Sequence, residues 1–295
     1  MGLPSAENLY SYSPSTAAAV AFTVLYSALL AYHFYLSVLY ARQQREKHRY
    51  TIALVVAAFL SAVGYATRIA SIKSPGLDNV SIYATSASLI VISPIFVCAS
   101  LYLQLAKLIR LCLPNDQQSF FGLRRIGLIF VTSDVFSFLT QASGSGIASA
   151  ANWEGSLKDV GTNVILAGLA LQAATFGFFI VILWQFICRV RNTASFDNRV
   201  RRVLVGAWVA ATFVQVSVTS ICATCQLIII QTRTLYRVIE FALGIEGHFF
   251  QHEWSLYVLE SGPMLIALAV LGWYHPIKWL QQGNEFEMVV NTLKD

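Results

Sequence analysis

Long runs without a formal charge alternate with short polar connectors along this chain. No Asp, Glu, Lys or Arg occurs between Glu7 and Arg42, Arg49 and Arg68, Asp78 and Lys107, Asp159 and Arg189, or Arg202 and Arg233. Two further apolar stretches, 126–153 and 254–277, hold one acid each, Asp134 and Glu260. A membrane-spanning helix needs about 20 mostly apolar residues, and these runs are too long and uniform for barrel strands. The pattern predicts seven spanning helices near 17–40, 51–70, 83–106, 126–147, 161–188, 203–230 and 254–277.

Composition agrees. A soluble chain of 295 residues would form one large domain or two small ones, but only 12% of these residues are charged. Soluble domains carry about 25%. With 56% hydrophobic residues and a mean hydropathy of +0.61, the expected class is all-α, a polytopic seven-transmembrane-helix bundle forming a single domain over 1–295. Thirteen of the 20 basic residues fall in the three loops after spans 1, 3 and 5, and five (Arg68, Lys73, Lys158, Arg233 and Arg237) are counted with the opposite loops. Basic loops stay cytoplasmic, which predicts an outside N-terminus and a cytoplasmic C-terminus. The net charge of +5 then reports topology, and no nucleic-acid partner is expected. The first 16 residues lack a basic n-region, so no cleavable signal is expected. Cys98, Cys222 and Cys225 lie in spans, Cys112 and Cys188 at the reducing side, so no disulfide is expected. The sequon Asn79-Val80-Ser81 abuts span 3.

Polar residues inside the spans carry the candidate chemistry. Asp134 lies nine residues beyond Arg125, about 14 Å deep at 1.5 Å per residue, and intramembrane acids are functional by default. Ser137, Gln141 and Ser145 continue its helical face, and Gly144 and Gly146 are expected to let a neighbour approach. Span 5 offers Gly161, Gly168 and Gln172, the last at a depth from which it could reach Asp134. In the third span and the last, Pro94 and Pro263 are expected to break the helix, and matched breaks point to substrate sites in transporters. Arg233, Arg237 and Glu240 would share a face of a continuing helix; Glu253 and Glu260, seven apart, would share a side of span 7. His248 and His252 have helical ligand spacing but no further partner, so no metal is expected. No phosphate-binding loop, GxSxG or HExxH occurs, so neither an ATPase nor a familiar hydrolase is expected, nor any cofactor.

A set of ordered motifs runs through nearly the whole chain. Its pieces are Gly64-Tyr65 with Arg68, Ser93-Pro94-Ile95-Phe96 with Ala99 and Tyr102, and Asp134 with Ser137, Phe138, Gln141, Gly144 and Gly146. Gly168 with Gln172 follows, then Arg233, Tyr236 to Glu240, Gly244, Gly247, Glu253 and Tyr257, closing with His275-Pro276. By these motifs the chain resembles the fungal lipid-translocating exporter family, which includes sphingoid long-chain-base and 7-aminocholesterol resistance proteins. The chain departs from that pattern at Ser61, where an acid is common, at Ser93, where Ala is usual, and at Glu260, usually Asp. The resemblance implies a membrane protein, expected at the plasma membrane, that exports lipid-like amphiphiles and confers tolerance. Asp134, Ser137, Gln141, Gln172 and Glu260 are the expected pathway residues, with Arg233, Arg237, Glu240 and Glu253 at its outer mouth. Membrane lipids or amphiphilic small molecules are the expected partners, and successive carboxylates favour a protonated amine head. A seven-helix receptor or lipid-sensing regulator, and a membrane-embedded lipid enzyme, are the competing readings.

Overall fold

Among the described residues, helices form where the apolar runs predict them, because lipid offers the backbone no hydrogen-bond partner except its own chain. The computed structural model describes residues 14–43, 49–73, 78–112, 126–150, 155–191, 198–215 and 253–275. Among these there is no strand. Six helices come first: α1 (Thr16–Gln43), α2 (Arg49–Lys73), α3 (Asp78–Cys112), α4 (Ile126–Ala150), α5 (Gly155–Arg191) and α6 (Asn198–Gln215). The last segment, α7, joins Glu253–Ser255, a π-helical stretch Leu256–Ser261 and an α-helix Gly262–Trp273. Five of the segments, α1, α2, α3, α5 and α7, are long and apolar enough to cross a membrane. The helix α4 matches α2 in length but is richer in Ser, Thr and Gly, and the second half of the sixth predicted span lies outside the described residues. Leu128, Ile129, Phe136 and Leu139 give α4 a face more than half exposed, while Asp134 and Ser137 turn inward. Apolar outside and polar inside is the order lipid demands. The protein is an all-α integral membrane protein.

Sequence neighbours pack side by side, and α7 returns against α1 and α6, so the helices run round in chain order with α3 also touching α5 and α6. The α2–α3 pair is zipped by a ladder. Ser86, Ser93 and Ser100, each seven residues apart on α3, donate to the carbonyls of Gly64, Ala57 and Tyr50, also seven apart on α2, at 2.9, 2.9 and 3.0 Å. A seven-residue repeat keeps one seam facing the partner along the whole contact. On α4 and α5 the seam is made of glycine. A Cβ on Gly144 would stand 2.7 Å from the Gly161 carbonyl oxygen, and one on Gly168 would stand 2.9 Å from that of Ser137. Gly146 faces open space instead, so of the two glycines expected to admit a neighbour only Gly144 does.

The two prolines behave differently from expectation and from each other. Pro94 is buried inside an uninterrupted α3. Its nitrogen has no hydrogen to give the Ile90 carbonyl, and the adjacent Ser93 ties that turn to Ala57 and Ser61 on α2. Pro263 follows the π-helical stretch, where the Ser261 hydroxyl reaches back to the Leu256 carbonyl at 3.0 Å. The helix widens there rather than stopping, a common accommodation where an i→i−4 bond is lost.

Candidate functional site

Among the described residues, three polar clusters bear on the candidate chemistry. The first lies between α3, α4 and α5. Tyr102 donates to Asp134 Oδ2 at 2.8 Å, and both are buried. The tyrosine ring is boxed by Phe130 and Phe179, with centroids 5.0 and 4.7 Å away, and by Phe176. Sequence reasoning missed Tyr102 as a partner, since a tyrosine in an apolar span reads as core.

The second place is a cavity of about 220 Å³ between the first halves of α3 and α5 and the second half of α4. Ser88, Val91 and Ile95 of α3, Phe138, Gln141 and Ser145 of α4, and Ile165, Leu169 and Gln172 of α5 form most of its wall. Gln141 donates to Gln172 at 3.1 Å. Gln172 therefore meets Gln141, one seam position from Gly168, rather than Asp134 two turns away. The bond leaves one amide oxygen and the remaining N–H groups of the pair for a ligand head. Ser88 and Ala142 are exposed at the rim, so the cavity opens sideways, toward lipid.

The third place lies where the start of α1, the end of α2 and the start of α7 meet. Glu253 accepts from Arg68 at 3.1 Å and from the Tyr257 hydroxyl at 3.2 Å through Oε1. Its Oε2 accepts the Ser15 backbone N–H at 2.6 Å, beside the first turn of α1. Arg68, grouped with the outer loops on sequence, is buried within α2 five residues before its end. It also stands over the Tyr257 ring, 5.9 Å from the centroid. Below, Phe22, Tyr26, Tyr65 and Tyr257 stack on one another. Tyr26 donates to the Ser261 carbonyl at 2.8 Å, and Tyr65 bonds to the Ser261 hydroxyl. Glu260 is buried beside this stack.

The predicted pathway residues thus separate. Gln141 and Gln172 line the cavity, Asp134 and Ser137 lie one to two turns deeper, and Glu260 belongs to the α1–α2–α7 cluster. Glu253 and Glu260 both face the bundle. Arg233, Arg237 and Glu240 fall outside the described residues, as do His248 and His252. Among the described residues no three His, Cys, Asp or Glu side chains gather as metal ligands. Ser61 and Ser93, two of the departures from the family pattern, bond to each other at 2.6 Å, so they form one coupled change between α2 and α3.

A family model described as RTA1-like protein matches residues 54–283. The chain is 29% identical to protoporphyrin uptake protein 1 of Saccharomyces cerevisiae, over 88% of this chain and 89% of that protein. It is 25% identical to the sphingoid long-chain base transporter RSB1 of the same species, over 77% of this chain and 64% of that one, and 28% identical to protein RTM1, over 74% and 65%. Against those last two it therefore spans just under two thirds of the relative's length. No solved structure matches.

Proposed function

The chain belongs to the RTA1-like protein family, and from that premise we propose that it is a translocator of lipid-like amphiphiles that works without hydrolysing ATP. The observation that carries this reading is the side-opening cavity between α3, α4 and α5, with its amide pair. An amphiphile head leaving the bilayer must exchange water for other hydrogen-bond partners. Gln141, Gln172, Ser88 and Ser145 offer them, while an alkyl tail keeps its place among lipid chains. The names of two relatives, one for a porphyrin and one for a sphingoid base, support large amphiphiles as the class. Export at the plasma membrane, and tolerance as its consequence, complete the proposal.

Vesicles of phosphatidylcholine containing the purified protein test it. Fluorescent sphingoid lipids, one N-acylated and uncharged and one N,N,N-trimethylated, should cross faster than in protein-free vesicles. Gln141→Leu combined with Gln172→Leu keeps volume and removes the amides. Two lost hydrogen bonds at about 1 kcal/mol each should slow flux at low lipid concentration by roughly tenfold or more. Flux of neither lipid above the protein-free rate would end the translocator reading; unchanged flux in the double variant would move the path elsewhere. The orientation has its own test. A cysteine at Ser5 should react with an impermeant reagent on intact cells and one at Ser195 should not, as the distribution of Arg and Lys requires.

A further inference from the structure

One carboxylate oxygen in the deepest polar cluster has nothing to bond to. Asp134 Oδ2 is held by Tyr102, but Oδ1 has no hydrogen-bond partner, and the Ser137 hydroxyl one turn on has none either. The two residues are 1% and 0% exposed. The Thr175 hydroxyl faces the carboxylate from α5, yet its hydrogen goes to the Leu171 and Gln172 carbonyls at 3.0 Å. Among the described residues no Lys, Arg or His is paired with Asp134. As an anion it would hold a full charge near the bilayer middle against one neutral donor, which is costly without a counter-charge.

We propose that Asp134 is a proton-binding site, and that the proton it takes up and releases couples amphiphile movement to a pH difference. This rests on the translocator reading above. Addition of one proton to Oδ1 turns the carboxylate into a neutral acid. The new O–H needs an acceptor; Ser137 Oγ, one turn on and also without a partner, is not in direct hydrogen-bond reach of Oδ1, so one buried water would carry the contact. Tyr102 donates to Oδ2 in both states, so they differ by one charge and one hydrogen bond. A metal ion fits poorly, since Ca²⁺ or Mg²⁺ takes about six or more oxygens and two are open here. Among the described residues, the other titratable groups facing the site are Tyr102 and, against it, Cys98 on α3; α5 presents Thr175, Phe176 and Phe179. The site touches the cavity mechanically: the Ser137 carbonyl packs on Gly168, one turn from Gln172. A charge change at Asp134 therefore acts on the seam that positions the amide pair.

The two lipid probes carry no titratable proton, so any proton moved belongs to the protein. With the wild type, lipid flux should change internal pH, and an imposed gradient should accumulate the uncharged probe up to about tenfold per pH unit at one proton per lipid. Asp134→Asn keeps the shape and an acceptor for Tyr102; it should lose gradient-driven accumulation. Accumulation retained in Asp134→Asn, or wild-type flux with no proton movement, would overturn the proposal. A measurement on the protein itself stands apart from transport. Infrared difference spectra titrated from acid to alkaline pH should show loss of a protonated-carboxyl band in the wild type that Asp134→Asn lacks. If no such Asp134-dependent band appears, the site binds no proton; if it appears while neither lipid moves, only the translocator reading and the coupling fail.

Discussion

Glu253→Gln should destabilise the purified protein by about 3 kcal/mol, the lower end of the range for breaking a buried ion pair. The Arg68 and Glu253 side chains are 5% and 11% exposed, so a guanidinium that loses this carboxylate has little water to replace it. The same carboxylate also holds the start of α1 through Ser15 and the first turn of α7 through Tyr257, and a single amide oxygen cannot serve all three as well. Arg68→Met should cost a similar amount by stranding the acid. Combining Arg68→Met with Glu253→Met removes both charges and should recover much of the loss, because an apolar pair of similar volume often replaces a buried ion pair at little penalty. Thermal unfolding in lipid nanodiscs reads all three. Losses that simply add in the double variant would mean the two groups are not coupled.

Gly161→Leu should prevent correct assembly of most of the protein, whereas Gly146→Leu should be silent. A Cβ at Gly161 would lie 2.7 Å from the Gly144 carbonyl oxygen and 2.8 Å from the Ala148 nitrogen. Backbone atoms cannot rotate away, so α4 and α5 must separate along the seam that also holds Gly168 against Gln141. Overpacking of this kind costs about 1–3 kcal/mol and sometimes more, and membrane helices have little beyond close packing to hold them together. Gly146 meets nothing within 4 Å and serves as the matched control. Size-exclusion profiles after solubilisation distinguish the outcomes; equal behaviour of the two variants would refute the seam.

The helices were legible because each apolar run had to satisfy its own backbone. Their ends were less so: α3 and α5 reach Asp78–Cys112 and Gly155–Arg191, several residues past the apolar windows, because polar residues can continue a helix beyond the hydrocarbon. Asp134, Gln141 and Gln172 stood out as polar groups in apolar surroundings. What they bond to did not, since pairing depends on which helices touch and at what height. The Ser86, Ser93 and Ser100 ladder had a signal in its heptad spacing, hidden by how common serine is in membrane helices. Arg68 offered a stronger one. It falls inside the second predicted span, and a lone arginine there demands an acid elsewhere in the bundle; counting it with the loops concealed that demand.

The partner of Arg68 is 185 residues away, and this has a consequence for how the chain is made. At roughly 5–20 residues per second, the ribosome needs on the order of 10–40 s to deliver Glu253 after Arg68 has been synthesised. Through that interval α2 must sit in or beside the insertion machinery without the carboxylate that neutralises it, and α1 without its cap at Ser15. Release of the early helices into lipid is thus tied to arrival of the last one. Chains truncated before residue 253 should be held back and degraded even though their first six spans are intact, and pulse-labelling of such truncations would follow that fate directly.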